Sequence, residues 1–113
     1  LLYNNKKKEF YKEIKINICT LESFLQKNFL NYIDFIKIDT EGYELEILRG
    51  LGNKFSKIKL IMFEHHYHDM IEKGYTFSDI HKLLSMNSFT QIYKAKMPFR
   101  KTFEYIYINN EIS

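Results

Sequence analysis

Internal disulfide chemistry is closed to this chain, because Cys19 is its one cysteine. A single thiol also excludes a cysteine-based zinc site and suits a reducing compartment, so the expected location is the cytoplasm. One proline, Pro98, and four glycines leave few positions for a linker or a domain boundary. No apolar run approaches the roughly 20 residues that span a bilayer, and no membrane association is expected. The opening Leu1-Leu2-Tyr3-Asn4-Asn5-Lys6 lacks the basic-then-apolar order of a signal peptide. Excess charge is scarce as well: 17 Lys and Arg against 14 Asp and Glu leave +3, and the basic run Lys6-Lys7-Lys8 is followed at once by Glu9. Nucleic acid is therefore not an expected partner.

What is present is apolar and evenly spread. At 113 residues, with 45% hydrophobic and 17% aromatic content, the chain can build one core but not two, and intrinsic disorder is excluded. It opens on Leu1 rather than methionine, already in strand and loop material, as expected of a piece of a longer protein.

Periodicity assigns the elements. Ile14, Ile16 and Ile18 alternate with Lys15 and Asn17, the pattern of a half-buried strand over 13–18. Thr20 can cap a helix whose Leu21, Phe24, Leu25 and Phe29 share one face and which ends near Asn28 or Asn31. The β-branched run Ile33 to Asp39 is a strand, with Phe35, Lys37 and Asp39 on one face and Ile36 and Ile38 on the other. It feeds a helix from Glu41-Gly42 to Arg49, with Leu45 and Leu48 toward the sheet and Gly50 and Gly52 as left-handed stops. Ile58 to Phe63 is nearly uninterrupted, as in a strand covered on both faces, and runs out into Glu64-His65-His66-Tyr67-His68. Thr76 and Asp79 form a capping box ahead of Phe77, Ile80, Leu83 and Leu84, a helix ending near Asn87. Phe89 to Ala95 and Thr102 to Ile108 form an antiparallel hairpin around Met97-Pro98-Phe99-Arg100, with Tyr105 and Tyr107 opposing Phe103, Ile106 and Ile108 across the pleat. The order is that of an α/β layer ending in a hairpin.

In such sheets ligands bind beyond the carboxyl ends of the strands, here just after Ile38 and Phe63. Asp39 and Glu41 stand at the first exit, where they could cap the following helix or, held ionised there, orient a hydroxyl or ammonium. Gly42 would let a ligand approach the backbone. Lys37, inside an apolar strand, needs a partner among Asp39, Glu44 and Glu64; a structural ion pair is the expectation. An extended chain would set Glu64, His66 and His68 on one side, but no zinc spacing such as H-E-x-x-H is present, and no metal is expected. His66 suits a general base near a substrate hydroxyl, whereas His81 reads as surface.

The stretch from Ile33 to Gly50, with Lys37-Ile38-Asp39-Thr40-Glu41-Gly42-Tyr43-Glu44 at its centre, resembles the signature block of FkbM-family S-adenosylmethionine-dependent methyltransferases. Thr20-Leu21-Glu22-Ser23-Phe24-Leu25 resembles the family's upstream segment, with Glu22 for the usual aspartate. Ile58 to Glu64 is similar to its strand ending in an acid. The resemblance runs from about Ile14 to Ile108.

It implies a class I methyltransferase (Rossmann-like) three-layer α/β fold, represented by its C-terminal half and ending in an antiparallel hairpin. The strand ending at Asp39 would be the fourth of that fold and the one ending at Phe63 the fifth. S-adenosylmethionine is the implied cofactor, with Asp39 among its contacts. A small-molecule hydroxyl, such as that of a saccharide, is the implied acceptor. The expected catalytic residues are Asp39, Glu41, Glu64 and His66, of which the resemblance sets Asp39 and Glu41 facing the sulfonium methyl and the acceptor.

The family's first strand, its glycine-containing cofactor loop and its ribose-binding acid have no counterpart here. Gly50-Leu51-Gly52 closes a helix rather than opening one. The chain thus reads as one partial domain over residues 1–113, lacking the N-terminal cofactor-binding half and inactive in isolation, with the fourth strand left as an open edge. Two other readings stand beside this one. A non-catalytic truncated module could bind a partner through that edge, or Asp39, Glu64 and His66 could serve a metal-dependent hydrolase.

Overall fold

Thr20 starts the first helix as expected: its hydroxyl accepts a hydrogen bond from the Ser23 amide at 3.1 Å, and α1 runs over Leu21–Lys27 to an Asn28 cap. The computed structural model describes residues 12–67 and 73–112; the Lys6-Lys7-Lys8 run and His68 lie outside them. The remaining elements are β1 (Ile33–Ile38), α2 (Glu44–Arg49), a 3₁₀ turn (Lys54–Lys57), β2 (Ile58–His66), α3 (Phe77–Met86), β3 (Phe89–Lys96) and β4 (Thr102–Asn109). They make a small α/β fold around a mixed four-stranded sheet of order β1-β2-β4-β3. β1 and β2 are parallel; β4 is antiparallel to both β2 and β3.

The expected strand over 13–18 does not form. Residues 12–20 adopt no regular secondary structure, and Ile14, Ile16 and Ile18 are 78%, 75% and 88% exposed. Alternation makes a segment able to pair, but a strand exists only where another strand accepts its hydrogen bonds, and no described strand lies alongside. Phe24, inside α1, is exposed as well, and so is Phe29, which falls beyond the end of this seven-residue helix.

The core gathers on one face of the sheet. Ile38, Ile61, Phe63, Tyr105 and Tyr107 from the strands meet Leu25 of α1, Leu45 and Leu48 of α2, and Ile80 and Leu84 of α3. On the opposite face Phe35 and Lys37 are exposed, while Leu60, Met62, Ile106 and Ile108 are half-buried. β2 is thus fully buried on its core face and half-buried at Leu60, Met62 and Glu64 on the other, and the described helices contribute their buried apolar residues to the one core cluster. Phe103 lies on the side of Tyr105 and Tyr107, not across from them: residues of equal parity share a face, and the Phe103 and Tyr105 rings are 6.2 Å apart.

Phe63 is the centre of an aromatic stack, 5.4 Å from Tyr105, 5.8 Å from Tyr107 and 6.5 Å from Phe77. Buried Asn109 ties the end of β4 to the 3₁₀ turn, donating to the Phe55 and Ile58 carbonyls at 3.2 and 3.1 Å. The helix stops differ from expectation. Gly50 keeps a right-handed φ of −66°, and only Gly52, at +55°, is left-handed. A Cβ at Gly52 would stand 2.0 Å from the Glu22 carboxylate, which accepts from the Asn53 amide at 3.0 Å.

Candidate active site

β1 and β2 are in parallel register, with Ile38 beside Phe63, so Asp39 leaves the sheet next to Glu64. β4 then brings a third carboxylate: Glu104 pairs directly with Glu64, and His66 pairs with Thr102. The Glu64 carboxyl is pushed above the ordinary carboxylate range, first by burial, then by the negative charges of Asp39 and Glu104; His66 and Lys37 oppose the shift. Among the expected site residues, Asp39, Glu64 and His66 are therefore brought together at the carboxyl ends of β1 and β2. Glu104 joins them from a strand that the sequence pattern does not connect to this end.

His66 is buried, and its Nδ1 lies 3.0 Å from the Thr102 hydroxyl. It stands within β2 rather than in a solvated loop, since the strand continues through Glu64, His65 and His66 by pairing with β4. Lys37 is exposed, so its ammonium stays hydrated and the expected structural ion pair is not required. His81 is exposed as expected, yet its Nδ1 reaches the Tyr107 hydroxyl at 2.7 Å.

Glu41 and Gly42 do not begin the helix. They form a turn with φ of 52° and 108°, and α2 starts at Glu44 behind Tyr43, which makes no side-chain cap bond. Neither Asp39 nor Glu41 caps α2. The carboxylate engaged at this helix start is Glu44, whose Oε2 accepts from the Gly42 amide at 3.0 Å and from the Tyr75 hydroxyl. Glu44 is 1% exposed, and Tyr75 lies 31 residues away, a partnership no local pattern announces.

His65 points into the core, edge-on to the Tyr67 ring at 4.6 Å, and burial lowers its pKa to about 4. It is a neutral core histidine. Tyr67 and Tyr105 share a short hydroxyl contact of 2.5 Å, and burial raises the Tyr105 pKa.

A groove of about 450 Å³ runs along the open side of β1, lined by Leu21, Ile36, Ile38 and Ile47 with Lys37, Asp39 and Thr40 at its rim. A larger groove of about 610 Å³ lies beside α1, where Cys19 and Tyr43 meet Glu46, a carboxylate already paired with Arg49 at 3.0 Å. The smaller groove is the one that includes Asp39. Among the described residues no three His, Cys, Asp or Glu side chains are grouped to hold a metal ion, and no helix is long and apolar enough to cross a membrane.

The profile of the family described as Methyltransferase FkbM domain matches residues 2–95, most of the chain and all of the Asp39 to Glu44 block. No curated protein and no solved structure matches the chain. The Asp39-Thr40-Glu41-Gly42 turn and the acid at the end of the neighbouring strand thus occur in a chain that belongs to the FkbM methyltransferase domain family.

Proposed function

We propose that this chain carries the acceptor-facing part of a class I methyltransferase domain that methylates a hydroxyl of a saccharide or other small molecule. The observation that carries the reading is the convergence of Asp39, Glu64 and Glu104 at one end of the sheet, with Asp39 and Glu64 inside the family-matched residues 2–95. The order β1-β2-β4-β3, with an antiparallel strand inserted before the last, supports correspondence with the closing four strands of that fold.

S-adenosylmethionine supplies, when bound, a methyl group made electrophilic by a sulfonium cation. The donor set here fits its charged end, because carboxylates favour a nearby positive charge and accept from hydroxyl and ammonium groups. Asp39 and Glu41 would hold that end. The exposed Asp39 carboxylate also orients the acceptor hydroxyl by accepting its hydrogen bond, the alignment from which an in-line transfer gains most of its rate. Glu64, with its raised pKa, is the better base, and a carboxylate oxygen of Glu64 takes the hydroxyl proton. His66, held at Nδ1 by Thr102, stands two residues further along β2 and tunes Glu64 electrostatically.

The test is transfer of labelled methyl from S-adenosylmethionine to a panel of glycosides and small alcohols by the natural full-length protein. Labelled ether products that vanish in Asp39→Asn support the reading; no transfer to any hydroxyl overturns it. A second reading, a non-catalytic module that binds through its sheet edge, is favoured by one observation: β1 pairs on one side only among the described residues, with Phe35 46% exposed. A chain that stays monomeric and soluble on its own argues against it.

A further inference from the structure

Glu44 is an expensive residue where it stands. Its carboxylate is 1% exposed, and Oε1 is buried without a hydrogen-bond partner among the described residues. An apolar side chain of similar volume would avoid that desolvation, so what the carboxylate contributes is geometry rather than stability. Its other oxygen closes a short loop of bonds: Gly42 N–H donates to Oε2 at 3.0 Å, Tyr75 O–H donates to the same oxygen, and Glu44 N–H donates to the Tyr75 oxygen at 3.2 Å.

The bonds anchor the residue that directly follows a strained one. Glu41 has a φ of 52°, and Gly42 follows at 108°. A left-handed non-glycine residue costs roughly 1 kcal/mol and persists only where its surroundings hold it. Tyr75 is itself firmly placed. It is buried beside His65, with rings 6.0 Å apart, and directly precedes Thr76, whose amide donates to Asp79 at 2.9 Å in the capping box of α3. Constraint therefore passes from the start of α3 through Tyr75 and Glu44 to the turn that carries Glu41 and follows Asp39.

We propose that Tyr75 and Glu44 are positioning residues: a latch from the start of α3 that fixes the 39–44 turn and so sets where Asp39 and Glu41 present their carboxylates. The assignment of that turn to methyl transfer rests on the function proposed above; the latch itself does not. Neither residue need touch cofactor or acceptor.

Amide hydrogen exchange on the full chain, with no ligand added, tests the latch. Tyr75→Phe keeps the ring and removes the hydroxyl, so exchange at Gly42 and Glu44 should rise about tenfold or more, as expected for loss of a charge-assisted hydrogen bond. Amides in the centre of β2 and β4 should stay within about twofold. Glu44→Gln retains a carbonyl acceptor and should restore most of the protection that Glu44→Leu removes. Unchanged exchange at 42–44 in Tyr75→Phe overturns the latch, as does a rise spread equally over β2 and β4, which would mark general destabilisation. A freed turn in Tyr75→Phe alongside undiminished methyl transfer by Asp39→Asn overturns instead the assignment of this turn to the active site.

Discussion

Glu64 on β2 and Glu104 on β4 stand directly opposite one another in antiparallel register, two carboxylates side by side at one end of the sheet. Like charges in that relation repel, and here they do so beside Asp39. The arrangement lowers stability in order to hold a carboxyl group whose proton affinity exceeds that of an ordinary glutamate.

The pH dependence follows. The folded protein holds the Glu64 proton more tightly than the unfolded chain, whose value is near 4.5. Its contribution to stability is fully present below that value and is lost as pH rises through the higher folded value. Urea unfolding should therefore show Glu64→Gln gaining on the native protein as pH rises above the unfolded value of 4.5. In a carboxyl carbon NMR titration, Asp39→Asn should lower the Glu64 midpoint, and more than Glu104→Gln does, matching the order of their influence.

His65 gives the opposite sign. Its folded value of about 4 lies below the ordinary 6.5, so its contribution is present above 6.5 and is lost as pH falls through the folded value. His65→Phe keeps an aromatic ring against Tyr67 and Phe77 and should flatten this part of the acid limb in melting curves taken from pH 7 downward. A limb of unchanged slope would place the acid sensitivity in other groups.

Asp39→Asn separates chemistry from folding. The side chain is exposed at the end of β1, so its loss should change stability by no more than about 0.5 kcal/mol. Methyl transfer by the full-length protein should fall by about a hundredfold, the lower range for a group acting directly on the reacting proton or its alignment. Steady-state rates and a thermal melt on the same preparation check both.

Two substitutions test where the core lies. Phe63→Ala empties the middle of the aromatic stack and should cost about 3–5 kcal/mol. Ile16→Asn, at a 75% exposed position, should cost less than about 0.5 kcal/mol. A large loss at Ile16 in equilibrium denaturation would mean that the 13–18 segment packs as a strand after all.

Much of the architecture was legible residue by residue. Thr20 and the Thr76–Asp79 box marked helix starts because capping is chemistry between neighbours three positions apart. The parity of Ile36 and Ile38 against Phe35 and Lys37 marked the faces of β1, since the strand period is a property of the backbone alone. The same rule misleads at Ile14, Ile16 and Ile18, where the pattern is present but no strand among the described residues pairs with it.

At the candidate site the division is similar. The acids after Ile38 and Phe63 stand out because strand ends in such sheets collect ligands, and the family match includes both. Glu104 carried no signal until the register of β4 placed it against Glu64, and Tyr75 carried none until 31 residues of chain returned it to Glu44. Glu41-Gly42 suits a helix start by composition, but the positive φ of both residues delays α2 to Glu44.

The sequence by itself determined the type of most elements, the buried parity of the strands and the family, because periodicity, capping and a contiguous motif are written within a few neighbouring residues. Only the tertiary structure decided which alternating segment found a partner, which carboxylates share one end of the sheet, and that a buried Glu44–Tyr75 contact stands behind the acidic turn. Those facts depend on register and on distant segments meeting, and a local pattern carries no record of the chain that will lie beside it.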